Sequence, residues 1–293
     1  MSYPTISVVI ATYSRPARLA TCLQALSQLD YPADLLEVIV VDDGSPMSLD
    51  VALPSYTGEA PIRMLRQENA GPASARNAGV KVARGEYIAI TDDDCQPAPD
   101  WLKRLVQELE RFPGYAIGGH TVNSLPNNPC AIASQLLIDY LYDYYETRDG
   151  RFFASNNMIV SADQFKQIGG FDCSFPGAAA EDRDFFRRWL DAGFKMTFCP
   201  EAIMYHGHEM NFAGFLRQHF LYGRGAYHYH KLKADGACCG IKLEPPHFYR
   251  NLFGYPWTRD FGCNPVLLDT LLLFSQGANA AGFFCEKFSA GNH

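Results

Sequence analysis

Three short apolar runs in the first hundred residues, each stopping at acidic or hydrogen-bonding side chains, constrain this chain more than any other feature. They are residues 6–11 (ISVVIA), 37–41 (EVIVV) and 86–90 (EYIAI). Apolar, β-branched runs of this length suit strands buried on both faces. Residues 62–65 form a shorter candidate strand. Between the runs, residues 18–29 place Leu19, Leu23 and Leu26 at helical spacing. Residues 72–83 open on Pro72 and stop before Gly85, the usual asymmetry of a helix. Asp100 is placed to cap a further helix over 101–112. Strand–helix alternation predicts an α/β fold, a mostly parallel sheet flanked by helices. Ligands of such sheets bind beyond the carboxyl ends of the strands. Three polar clusters fall at those ends: Thr12-Tyr13-Ser14-Arg15, Asp42-Asp43 and Asp92-Asp93-Asp94.

The following hundred residues are more mixed. Residues 131–146 read as a tyrosine-rich helix and 152–160 as a strand interrupted at Asn156-Asn157. Residues 161–168 and 180–192 read as helices, and 195–198 and 202–205 as two short strands leading to His206-Gly207-His208. From about residue 211 the character changes to a long aromatic helix (212–233), a Gly/Cys/Pro-rich stretch and an apolar segment over 266–284. The expected organisation is a domain over 1–210, dividing at about residue 100, followed by a helical C-terminal extension over 211–293.

Composition narrows the function. The net charge of −7 argues against a nucleic-acid binder, which needs a basic face. Nine scattered cysteines without a C-x-x-C pair, Cys238 and Cys239 being adjacent, suggest reduced thiols and a cytoplasmic protein. The N-terminus has no signal-peptide pattern. Residues 266–284 contain Asp269, Gln276 and Asn279, which makes a poor membrane span.

The acids carry the chemistry. Three consecutive aspartates repel one another unless a cation compensates, and hard divalent ions bind carboxylate and phosphate oxygens together. Asp92 and Asp94 therefore suit a metal-bound diphosphate, against the plainer reading of a solvated turn. Asp42-Asp43-Gly44-Ser45 is ordinary turn chemistry or a nucleobase and ribose contact. Glu181-Asp182 either complements a helix dipole or supplies a general base. His206 and His208 alternate on a strand, so both do not readily serve one ion.

Four segments in order carry a resemblance: SVVIATYSRPARLATCLQAL (7–26), EVIVVDDGS (37–45), ENAGPASARNAGVKVARGEYIAITDDDCQPAPDWL (68–102) and GGFD…EDRDFFRRWLDAGFK (169–195). The chain resembles the family 2 glycosyltransferases, nucleotide-sugar-dependent inverting enzymes of the GT-A fold. The resemblance implies a nucleoside-diphosphate sugar donor, UDP most familiarly, and Mn²⁺ or Mg²⁺. Thr12, Tyr13 and Arg15 would line base and diphosphate, Asp42 or Asp43 the nucleobase, and Arg76 would help hold the nucleotide. Asp92 and Asp94 match the D-x-D motif, the first near the ribose and the second on the metal. Asp182 would be the catalytic base, and His206 matches a histidine near the metal or diphosphate. Trp101, Asn156, Asn157 and Glu181 are candidates for the acceptor side on position alone, with packing an equal explanation.

The processive synthases' Q-x-x-R-W is absent; Gln218-His219-Phe220 is not that motif, which favours one transfer per encounter to a glycan or lipid-linked acceptor. The C-terminal helices pack on the domain, form a dimer interface, or lie peripherally at the inner face of a membrane, the first two being preferred. A haloacid-dehalogenase-type phosphohydrolase needs an aspartate after the first strand, where Thr12-Tyr13 stands. A sugar-nucleotide pyrophosphorylase should open with a glycine-rich, arginine-containing loop. A non-catalytic binding homologue would have no need of Asp92, Asp94 and Asp182 together.

Overall fold

The computed structural model describes residues 3–146, 148, 151–175, 177, 179–235 and 244–290; Cys238, Cys239, Pro176 and Ala178 lie outside them. Strands β1 (Ile6–Thr12), β2 (Leu36–Asp42), β3 (Ile62–Arg66), β4 (Tyr87–Asp92), β5 (Cys95–Pro97), β6 (Tyr115–Asn123), β7 (Met158–Ser161) and β8 (Lys195–His206) form one sheet in the order β3-β2-β1-β4-β7-β6-β8-β5. The first four strands are parallel; β7 runs antiparallel to β4 and to β6, and β5 antiparallel to β8.

Both faces of the parallel half are covered, which is why its strands carry no polar alternation. Val8, Ile10, Val38 and Val40 pack with Leu19 and Leu23 of helix α1 (Pro16–Leu26) and with Trp101 and Leu105 of α3 (Trp101–Arg111). Helix α2 (Pro72–Val82) contacts β1 and β2. Register then fixes the functional edge: Thr12 stands beside Asp42, and Ala11 beside Asp92. The three strand ends foreseen in the sequence are therefore adjacent.

Three expectations are corrected. The strand expected over 152–160 starts only at Met158, because the Asn157 side chain is turned inward, accepting from the Trp101 indole and donating to the Ala202 carbonyl. The two strands expected over 195–205 are the single twelve-residue β8. Asp100 does not cap α3; its carboxylate accepts from Arg104 Nε at 2.7 Å instead.

The chain divides into two compact units that interleave in sequence. The first comprises 1–122, 153–173 and 185–207, and the second 123–152, 174–184 and 208–293. Helix α5 (Ala162–Gln167) belongs to the first, and helix α6 (Glu181–Asp191) starts in the second and continues in the first. The second unit holds α4 (Pro129–Tyr145), α7 (Phe212–Asp235), α8 (Pro246–Gly254) and α9 (Pro265–Ala290), around Leu136, Tyr140, Phe215, Phe248, Leu268 and Leu272. Among the described residues no helix is long and apolar enough to cross a membrane, and the seven described cysteines are all free.

That core encloses a histidine. His219 of α7 is buried between Phe215 and Tyr222, and neither ring nitrogen has a hydrogen-bond partner among the described residues. Burial pushes its imidazole down to about 4. The unfolded chain, with an ordinary value near 6.5, binds the extra proton first, so stability is full above pH 6.5 and is lost as pH falls toward 4. Urea titrations of the wild type and His219→Leu across that window are expected to diverge by about 3 kcal/mol, the wild type losing more toward acid pH.

Candidate active site

At the carboxyl edge of the parallel strands the acids and cations of the first unit converge. Asp93 is buried, accepting from Thr12 Oγ1 at 2.7 Å and from Arg15 at 3.2 Å. Burial raises its carboxyl to about 6; Arg15 opposes that rise, and the Asp94 charge adds to it. Asp94, also buried, faces Arg18 at 3.1 Å, His206 Nε2 at 3.3 Å and Arg15 at 3.6 Å. Burial disfavours the His206 imidazolium, but the hydrogen bond and charge of Asp94, with that of Asp92, outweigh burial and raise its pKa. Asp92 pairs with the buried Arg76 at 2.8 Å, whose guanidinium lies 5.7 Å from the centre of the Phe171 ring. A buried acidic strand end is thus ringed by arginines and one histidine, the charge balance that a bound diphosphate and cation would rearrange.

The backbone supports this edge. Ser14 has φ of 55°, unusual for a non-glycine residue, and its N–H donates to Ser45 Oγ at 2.8 Å. That turn leaves Tyr13 exposed and aims Arg15 at the aspartates. Asp42 Oδ1 accepts from both the Ser45 amide and hydroxyl, and Arg66 stands 3.6 Å from Oδ2. Asp43 accepts from Gln67 Nε2 and from the amides of Ala70 and Gly71. Both carboxylates are buried; Asp42 braces the turn to Ser45 and Asp43 the loop over 67–71.

Asp94, Cys95 and His206 present ligand atoms within 4.8 Å of one another. Burial, then the neighbouring aspartates, holds the Cys95 thiol well above its ordinary range, and hard ions such as Mn²⁺ and Mg²⁺ favour oxygen and imidazole donors over sulfur. Asp94 and His206 are the pair fit to hold a divalent cation. One carboxylate and one imidazole leave the remaining positions to phosphate and water, the incomplete shell such ions keep on nucleotides.

The residues expected on the acceptor side divide differently. Trp101 is fully buried with its indole bonded to Asn157, and Asn156 accepts from Thr121 at 3.3 Å inside the same unit. All three take part in internal hydrogen bonds of the antiparallel half, which accords with the packing alternative. In the second unit, Glu181 is buried and Asp182 half-buried in the first turn of α6; Asp182 Oδ1 accepts from the Arg183 amide at 2.7 Å. Ala180, immediately before, has φ of 68°. Arg183 stacks over Phe152 at 4.6 Å.

Arg18 and Asp93 were not singled out in the sequence. Arg18 lies three residues after Arg15, one turn along α1, and that spacing was the available signal. The part of Asp93 shows only once Thr12 is seen opposite it.

Known proteins match this arrangement. The model of the family described as Glycosyl transferase family 2 matches residues 7–169, and that of Glycosyltransferase like family 2 matches residues 127–251. The glycosyltransferase AglE of Haloferax volcanii is 28% identical over 231 residues, covering 76% of this chain and 73% of its own length. The hyaluronan synthase of Pasteurella multocida is 27% identical over 69% of this chain, which spans only 24% of that protein. The solved mannosyltransferase PcManGT from Pyrobaculum calidifontis, in complex with GDP-Man and Mn²⁺, superposes with a TM-score of 0.63 at 18% identity, covering 100% of this chain and 82% of its own. Staphylococcus aureus TarS superposes at 0.55 and 16% identity, over 95% of this chain and 54% of its own. These likenesses show the GT-A-like fold.

Proposed function

Because the chain belongs to glycosyl transferase family 2 and is a glycosyltransferase, we propose that it moves one sugar from a nucleoside-diphosphate donor to an acceptor hydroxyl by direct displacement, inverting the anomeric carbon. The observation that carries this reading is the edge formed by half-buried Asp92 and buried Asp93 and Asp94, clasped by Thr12, Arg15, Arg18, Arg76 and His206. Asp92 meets the ribose. Asp94 and His206 would hold Mn²⁺ or Mg²⁺, and the mixed carboxylate–imidazole pair and the Mn²⁺ of the mannosyltransferase neighbour support Mn²⁺. When bound, the ion neutralises charge on the departing diphosphate. Tyr13, exposed just beyond β1, the turn braced by Asp42 and the loop braced by Asp43 line the base. The resemblance favours UDP, whereas the mannosyltransferase neighbour carries GDP-Man.

The chemistry needs one base and one route for negative charge. Asp182 takes the proton of the acceptor hydroxyl, whose oxygen bonds the anomeric carbon as the bond to the diphosphate breaks. The electron pair leaves with the diphosphate, and Arg15 and Arg18 stabilise it. No covalent enzyme intermediate is required. The acceptor is a glycan or a lipid-linked hydroxyl.

Isothermal titration with UDP, GDP and dTDP, each with Mn²⁺ and with EDTA, tests the donor site. One nucleotide is expected to bind only with metal, and Asp94→Ala to weaken that binding at least about 10-fold, the usual scale for a lost metal ligand or its support. Circular dichroism shows whether the variant is folded. Absence of binding by all three nucleotides with metal would sink the assignment.

A further inference from the structure

Helix α9 is apolar on its outward face as well as on the face that buries Leu268, Leu271 and Leu272. Val266, Thr270, Leu273, Gly277, Phe284 and Phe288 recur at helical spacing and are all exposed, with Val266, Leu273 and Phe288 each at 60% or more. Phe274 and Leu267 widen the stripe, and Phe212 of α7 lies against Phe274 at 5.4 Å. Thr270, the polar member, has spent its hydroxyl on the Val266 carbonyl at 2.8 Å. The stripe is about 33 Å long at 1.5 Å per residue. No described residue covers it.

We infer that this face pairs α9 with α9 of a second copy of the chain, antiparallel about a two-fold axis at the level of Asn279. Three observations point to that occupant. The exposed apolar surface is on the order of 700 Å² per copy at ordinary side-chain sizes, close to the roughly 800 Å² per partner of a standard interface and beyond what monomers usually expose. The stripe is small at its middle, at Gly277, Ala280 and Ala281, and Phe274 and Phe284 flank that middle, so that Gly277 falls opposite Ala281 and Phe274 opposite Phe284. This is self-complementary under a two-fold, and the dip lets backbones approach; a lipid surface gains nothing from a dip. Finally, Asp269 and Lys287 stand on the same edge at opposite ends. The two-fold brings Lys287 of each copy alongside Asp269 of the other, which already accepts the Trp257 indole at 2.8 Å. A chain of net charge −7 lacks the basic surround that would favour an anionic membrane.

Sedimentation equilibrium of the full chain at micromolar concentration is expected to give twice the chain mass, and Phe284→Glu to give the monomer, with its far-UV spectrum unchanged. Phe274→Cys gives an independent readout by cross-linking rather than by loss of the dimer. Its new thiol is placed to oxidise with the exposed native Cys285 of the second copy, giving a cross-linked dimer lost in Phe274→Cys/Cys285→Ser. A wild type that stays monomeric, or a Phe284→Glu variant that stays dimeric, overturns the proposal. If the monomeric wild type pellets with phosphatidylcholine vesicles and Phe284→Glu does not, the face is a lipid contact instead.

Discussion

Asp182→Asn is expected to lower kcat by about 10²–10⁴-fold while leaving metal-dependent nucleotide binding within about twofold of the wild type. The substitution keeps shape and removes the capacity to accept a proton. The local structure tolerates it, since the Arg183 amide donates to Oδ1, which the asparagine retains. Loss of one negative charge in the first turn of α6 costs at most about 1 kcal/mol of dipole interaction, and Glu181 and Asp184 remain there. Under the proposed function turnover and binding should therefore separate, the proposed donor residues lying on β1, β4 and β8 and the proposed base on α6. Steady-state kinetics beside calorimetry on the same preparation reads both. A variant within tenfold of wild-type kcat would show that another group takes the proton, and loss of binding as well would show that Asp182 acts on the donor. Glu181→Gln is the matched control; Glu181 is buried beside Asp182 without being assigned the proton.

The separation of roles was legible in part. β1, β2 and β4 announce themselves because strands buried on both faces have no polar alternation to blur them, and their register alone aligns Thr12, Asp42 and Asp92. Strand β6 was missed because Gly118-Gly119 breaks its apolar run. A Cβ at Gly118 would lie 2.2 Å from the Phe153 ring, and one at Gly119 2.4 Å from Asn157 Oδ1, so glycine is required there by packing that no local pattern encodes. The same buried amide stopped the expected strand at 152–160 and takes the Trp101 indole proton. Asp42 and Asp43 illustrate a different limit. Acids at a strand end were correctly placed, yet the sequence does not say whether they face a ligand or the backbone of the loop over 67–71; three donors to Asp43 point to the loop. The convergence of Arg18 and His206 on Asp94 needs α1 and β8 brought together, a contact across nearly the whole catalytic sequence.

Gly223→Ala is expected to destabilise the second unit by about 3 kcal/mol, against the gain of up to about 1 kcal/mol that alanine gives in an exposed helix. Helices α7 and α9 run parallel, Phe212 meeting Phe274 at one end and Arg224 pairing with Glu286 at 2.5 Å toward the other. Between those contacts the backbones nearly touch. A Cβ at Gly223 would lie 1.9 Å from the Asn279 carbonyl oxygen, and one at Gly282 1.9 Å from that of Phe220. Both are about 1 Å short of the 3.0 Å that real Cβ contacts respect. The obstacle is main chain, so no rotamer relieves it and the helices must separate along their whole contact, loosening the core that buries Phe215, Leu268 and Leu272. Gly277→Ala on the outward face of α9 meets no atom within 4 Å and supplies the opposite sign. In dilute protein it should raise the urea midpoint while Gly223→Ala lowers it. Two glycine-to-alanine changes of opposite sign would establish backbone contact as the determinant of this packing. Equal stabilisation by both would mean that α7 and α9 stand farther apart than the structure has them.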